Sequence, residues 1–133
     1  MPNRGKVVSF KPQEEGIGNV KDLGGVYEIG LKNKWGPYVP NLNFGNNGKL
    51  YYFIGGHGNY IKEGITVLVE LDPKSGKRKV LFEYPVHVLS EVTGSDIKDR
   101  EGNLYFAGRK SIAGHDASAP FMIKFNPEKE IKK

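Results

Sequence analysis

Asn41, Glu91, Asp96 and Asp99 carry the side-chain oxygens that flank the starts of two similar segments. As a set they offer the ligands that a hard divalent cation such as calcium takes. Asn41 and Asp96 are the metal candidates. Asp99 opens an Asp-x-x-Gly sequence, Asp99 to Gly102, where a carboxylate also serves to cap a turn. His57 lies in the glycine-rich run Gly55-Gly56-His57-Gly58-Asn59, and His115-Asp116 occupies the corresponding stretch further on. A histidine beside an aspartate can act as a general base or a metal ligand. A loop histidine can equally be a plain surface residue. Trp35 heads the aromatic turn Trp35-Gly36-Pro37-Tyr38, which suits stacking on a sugar ring or packing over a sheet edge. His57, His115, Asp116 and Trp35 are therefore the ligand-binding candidates.

Other chemistries find no footing. The glycines around His57 lack the Lys-Ser/Thr of a phosphate-binding loop. Ser111 and Ser118 have no nucleophile-elbow glycines around them. There is no cysteine, so neither disulfides nor thiolate metal sites arise, and the three histidines lack a zinc spacing. The net charge is +5, but Lys and Arg are spread along the chain among Asp and Glu. A nucleic-acid face would concentrate them, so the charge argues for a solvated surface. No run approaches the roughly 20 apolar residues of a membrane span, and no signal peptide is expected at the N-terminus. Nothing in the sequence indicates a compartment.

The elements that must position these residues come in copies. Gly48-Lys49-Leu50-Tyr51-Tyr52 aligns with Gly102-Asn103-Leu104-Tyr105-Phe106. Without a gap, Val67-Leu68-Val69-Glu70-Leu71-Asp72-Pro73 aligns with Phe121-Met122-Ile123-Lys124-Phe125-Asn126-Pro127, all at an offset of 54. Val7-Val8-Ser9-Phe10-Lys11-Pro12 resembles the end of both. Period-2 alternation at 41–44, a buried run at 50–54, and β-branched or apolar runs at 66–71 and 78–83 predict four antiparallel strands in the middle copy. Turns follow at Gly45 to Gly48 and Asp72 to Lys77. The second copy predicts strands at 103–107 and 120–125, a loop from Gly108 to Ala119, and one residue inserted ahead of its turn. The front copy predicts a third and a fourth strand, with a bulge near Gly24-Gly25, and Glu128 to Lys133 reads as a frayed end. Eighteen glycines and eight prolines suit short strands with tight turns and disfavour long helices.

Four short antiparallel strands every 45–55 residues describe the blade of a β-propeller. The expected fold is therefore all-β, about two and a quarter blades in one segment: a partial blade at 1–38, a full blade at 39–86, and a blade lacking its last strand at 87–133. In the Gly-x-Leu-Tyr motif, Leu packs between blades and the neighbouring aromatic covers the opposite face. A nine-strand sandwich is the alternative, but it has no reason to repeat at a fixed offset. So few blades cannot close a ring. The expected partners are other copies of the chain or the remainder of a longer propeller, together with a small-molecule or protein ligand.

Asp99-Arg100-Glu101-Gly102-Asn103-Leu104-Tyr105-Phe106-Ala107 resembles the Asp-x-x-Gly-Asn-Leu-Tyr-Val-Ala strand pair of the NHL-repeat and gluconolactonase-like (senescence-marker) propellers. Pro40-Asn41, Phe44 and Gly48 to Tyr51 are similar to the Pro-Asn-Gly-x-x-Phe-x-x-x-Gly-x-x-Leu-Tyr motif of the gluconolactonase branch. That resemblance implies a divalent metal, often calcium, at a central channel and hydrolysis of sugar lactones. Asn41 stands where a ligand of that branch would. The aspartate expected after the second strand of the motif is replaced by Ile54 or Gly55, and the one expected in the later copy falls near Gly94, with Asp96 displaced from it. Two functions remain in view: a non-catalytic propeller module with a binding or structural role, and a metal-dependent lactone hydrolase.

Overall fold

A computed structural model describes residues 5–16, 18–26, 39–54, 65–85, 90–111 and 118–130. Among these described residues, nine strands form three separate antiparallel sheets. Strands β1 (Lys6–Phe10) and β2 (Val20–Gly25) form the first sheet. Strands β3 (Asn43–Phe44), β4 (Leu50–Ile54), β5 (Ile65–Leu71) and β6 (Arg78–Pro85) form the second, in chain order. Strands β7 (Ser90–Gly94), β8 (Leu104–Ser111) and β9 (Ser118–Phe125) form the third. No sheet closes on itself among the described residues. The all-β, antiparallel expectation is met, and the strands fall two, four and three along the chain as the repeat predicts.

The repeat holds register for register. Leu50, Tyr51 and Tyr52 pair with Leu71, Glu70 and Val69. At the same offset of 54, Leu104, Tyr105 and Phe106 pair with Phe125, Lys124 and Ile123. The turns repeat too. Gly48 N–H donates to the Gly45 carbonyl and Gly102 N–H to the Asp99 carbonyl, at 3.1 and 3.0 Å. Both glycines are left-handed, with φ of 75° and 82°, a conformation that a Cβ disfavours. A bulge sits where expected. Lys6 pairs with Gly25 but Val8 with Asp22, so β2 carries an extra residue there.

Three details depart from the sequence reading. Strands β8 and β9 run on through Gly108–Ser111 and Ser118–Ala119, in the stretch expected to be a loop, because their ladder continues to Ser111 and Ser118. Pro127–Glu130 is one helical turn, α1, in the stretch expected to fray. Asn126 caps it, its Oδ1 accepting from the N–H groups of Glu128 and Lys129 at 3.1 and 3.2 Å, and Pro127 suits the first helical position. Two residues, not one, are inserted ahead of the second turn. Asn43 stands opposite Tyr51, and Ser95 N–H donates to the Tyr105 carbonyl at the corresponding place. One residue separates Asn43 from its turn, whereas Asp96, Ile97 and Lys98 separate Ser95 from Asp99.

The core is two apolar seams, one on each face of the second sheet. Leu50, Tyr52, Ile54, Val67, Val69 and Leu71 pack towards Val7, Leu23 and Val26 of the first sheet region. Tyr51, Phe53 and Leu68 pack towards Val92, Leu104, Phe106 and Phe125 of the third. All five residues of β4 are buried, as befits a strand covered on both faces. Side-chain bonds to backbone tie the first seam. Tyr52 OH donates to the Val26 carbonyl at 3.0 Å and Arg78 Nη2 to the Leu23 carbonyl at 2.6 Å. Edge-to-face rings fill the second, Phe53 on Phe106 at 4.9 Å and Tyr51 on Phe125 at 5.5 Å. No helix among the described residues is long and apolar enough to cross a membrane.

Candidate functional site

The first strands of the second and third sheets bring Asn41, Asn43, Gly94 and Ser95 together. Asn41 Nδ2 donates to Asn43 Oδ1, and Asn43 Nδ2 donates to the Ser95 carbonyl across the seam. Gly94 leaves room for this contact. A Cβ there would meet the Asn41 amide and stand 2.8 Å from Phe106 Cδ1. Asn41 Oδ1 is buried and finds no hydrogen-bond partner among the described residues. This is the one feature of Asn41 that favours a ligand.

Asp96, the second metal candidate, lies in the three-residue excursion between Ser95 and Asp99 and is exposed. The insertion lifts it off the strand start on which the sequence reading placed it. Among the described residues no three His, Cys, Asp or Glu side chains cluster as a metal site. Calcium takes six to eight oxygens. The groups beside Asn41 are an amide and a carbonyl already engaged with each other, so the described donors do not fit that ion. Trp35, His57, His115 and Asp116 lie outside the described residues, as does the side chain of Glu91.

The remaining polar groups hold the fold. Asp99 caps its turn, accepting at Oδ1 from the N–H groups of Glu101 and Asn103, both at 2.9 Å. At Oδ2 it accepts from Asn103 Nδ2 and Tyr105 OH, both at 2.7 Å. The Asn103 side chain, then its N–H, then the Tyr105 hydroxyl hold this carboxyl well below the usual range, and Tyr105 in turn is raised by Asp99. Asp72 accepts from Lys74 N–H at 2.8 Å, one period before the Asn126 cap, and is likewise lowered. A carboxyl depressed on folding stabilises the fold above its ordinary value of 3.8, and that contribution is lost as pH falls through it. Asp99→Asn should therefore flatten the fall in urea midpoint below about pH 4. An acid limb identical to the parent's would contradict this role.

The sequence reading missed a buried acid. Glu70 lies inside β5, its Oε2 accepting from Tyr51 OH at 2.9 Å and its Oε1 from Lys49 Nζ at 2.7 Å. Asn47 Nδ2 donates to the same phenol oxygen at 2.8 Å. The signal lay in the register. A Leu50-to-Leu71 pairing sets Glu70 opposite Tyr51. Asn43 and Asn126 were also missed, since their partners Ser95 and Asn103 are distant in sequence.

Comparison of the chain with protein-family models, with curated proteins and with solved structures returns no match. Its function is read from this geometry.

Proposed function

We propose that the chain is a non-catalytic β-propeller module or segment with a binding or structural role. One observation carries this reading. Two copies repeat the same strand pairing and the same left-handed glycine turn, and each stacks the same kind of face on the sheet before it. Successive blades around a propeller axis stack in this manner. The buried acid and the buried amides are engaged in turns, a helix cap and a cross-strand bond, which suits a scaffold. The resemblance to NHL-repeat and gluconolactonase-like propellers points to the same architecture.

A second reading, a metal-dependent lactone hydrolase of the gluconolactonase type, draws on the unpartnered Asn41 Oδ1. The two separate in one experiment. The module reading expects millimolar calcium to leave the melting temperature unchanged and sugar lactones to hydrolyse at the uncatalysed rate. A ligand at 100 times its Kd would instead add about 2.7 kcal/mol of stability. Saturable, calcium-dependent hydrolysis lost in Asn41→Ala or Asp96→Ala would establish the hydrolase.

A further inference from the structure

The two outermost sheet faces are the two halves of the interface that the chain already makes twice within itself. In the second sheet, Val69 and Leu71 face the sheet before it. Counted back from the proline that ends each third strand, their counterparts are Val8 and Phe10, and these are 50% and 57% exposed. Val20, paired with Phe10, is 54% exposed. This leading face sets these three apolar side chains beside the exposed Lys6–Asp22 ion pair, with no sheet before it among the described residues.

At the other end, Tyr51, Phe53 and Leu68 of the second sheet are buried under the sheet that follows. Their counterparts one period on are Tyr105, Ala107 and Met122, of which Met122 is 69% exposed. This trailing face is uncovered among the described residues. The second sheet lies between the other two, so the leading and trailing faces of one chain point away from each other.

From these two faces we infer that the partner of this module is a second copy of the same chain, bound head to tail. The Val8–Phe10–Val20 face of each copy packs on the Tyr105–Ala107–Met122 face of the other. The inference rests on the propeller reading. Among the described residues each chain carries three sheets, so two copies place six around the axis, inside the four to eight of known propellers. A junction of this kind is heterologous, and such junctions generate rings when their rotation closes.

The experiment measures solution mass of the full chain by sedimentation. The expected species is twice 14.8 kDa. Phe10→Asp and Met122→Asp place a charge on each face, at exposed positions where folding tolerates it. Either alone should weaken association by about 30-fold or more, as when an interface anchor is lost. An equimolar mixture of the two variants should recover dimer, because one junction of the mixed pair keeps both faces intact. A parent chain that remains monomeric at about 100 μM overturns the inference, since interfaces of ordinary size form well below that. So does a dimer that survives one substitution, or a mixture that recovers none. A monomer inactive on lactones leaves the module reading standing without its partner. Calcium-dependent lactone hydrolysis removes the module reading whatever the mass.

Discussion

Phe106→Ala is expected to destabilise the fold by about 3–5 kcal/mol, the largest loss of any single truncation considered. Phe106 is fully buried in the seam between the second and third sheets. Its ring stands edge-on to Phe53 with an interplanar angle of 75°. Gly94, paired opposite on β7, lacks a side chain that could fill the space left behind. The other members of its cluster, Phe53, Leu68 and Val92 among them, are buried on paired strands and cannot readily move inward, so most of the cavity persists. Urea unfolding followed by far-UV circular dichroism measures the loss as a shift in midpoint. Ile97→Ala, at an exposed position between Ser95 and Asp99 and outside both outer faces, is the control and should change stability by no more than about 0.5 kcal/mol. Equal effects of the two substitutions would mean that the second and third sheets do not stack.

The second large effect belongs to the Tyr51–Glu70 pair. Tyr51→Phe should cost about 1.5–3 kcal/mol, the usual worth of a hydrogen bond to a charged group. The phenol is fully buried, and its O–H donates to a carboxylate that is itself buried. Glu70→Ala should cost a similar amount, because it strands that O–H without an acceptor. The Lys49 bond adds less, its ammonium being partly exposed. Tyr51→Phe with Glu70→Ala should cost clearly less than the two single losses together, since both delete one bond. Strict additivity would refute the pairing. The same site sets an alkaline limb. Burial first, then the carboxylate of Glu70, push the Tyr51 phenol above its ordinary value of 10.0, against the Asn47 bond that favours its ionised form. Stability from a group raised on folding is whole below pH 10 and is lost as pH climbs past it. Tyr51→Phe should remove this part of the alkaline loss, and an unchanged limb would place its cause elsewhere.

Much of the architecture was legible without coordinates because it is local. A strand is written in a period of two, and β4 was readable at its full length, Leu50–Ile54, from five consecutive apolar residues between turns. The Gly48 and Gly102 turns were readable because a left-handed residue favours glycine. The pairing of β4 with β5 and of β8 with β9 followed from a gap-free repeat, since equal spacing imposes equal register. The bulge at Gly24-Gly25 announced itself by two glycines in a strand.

The candidate site was far less legible. Asn41 and Asp96 are candidates by residue type and by motif position alone. Only the folded chain decides that Asn41 points its amide at Asn43 while two inserted residues carry Asp96 out to solvent. Met122 and Leu68 occupy the same place in two copies, yet one is exposed and the other buried. The sequence by itself determined the strands, their turns and their partners within each sheet, because backbone geometry and side-chain alternation act between near neighbours. Tertiary structure alone decided which faces are covered and which polar groups are spent in holding the fold. Those outcomes depend on surfaces that meet across some fifty residues of chain, and no local pattern records them.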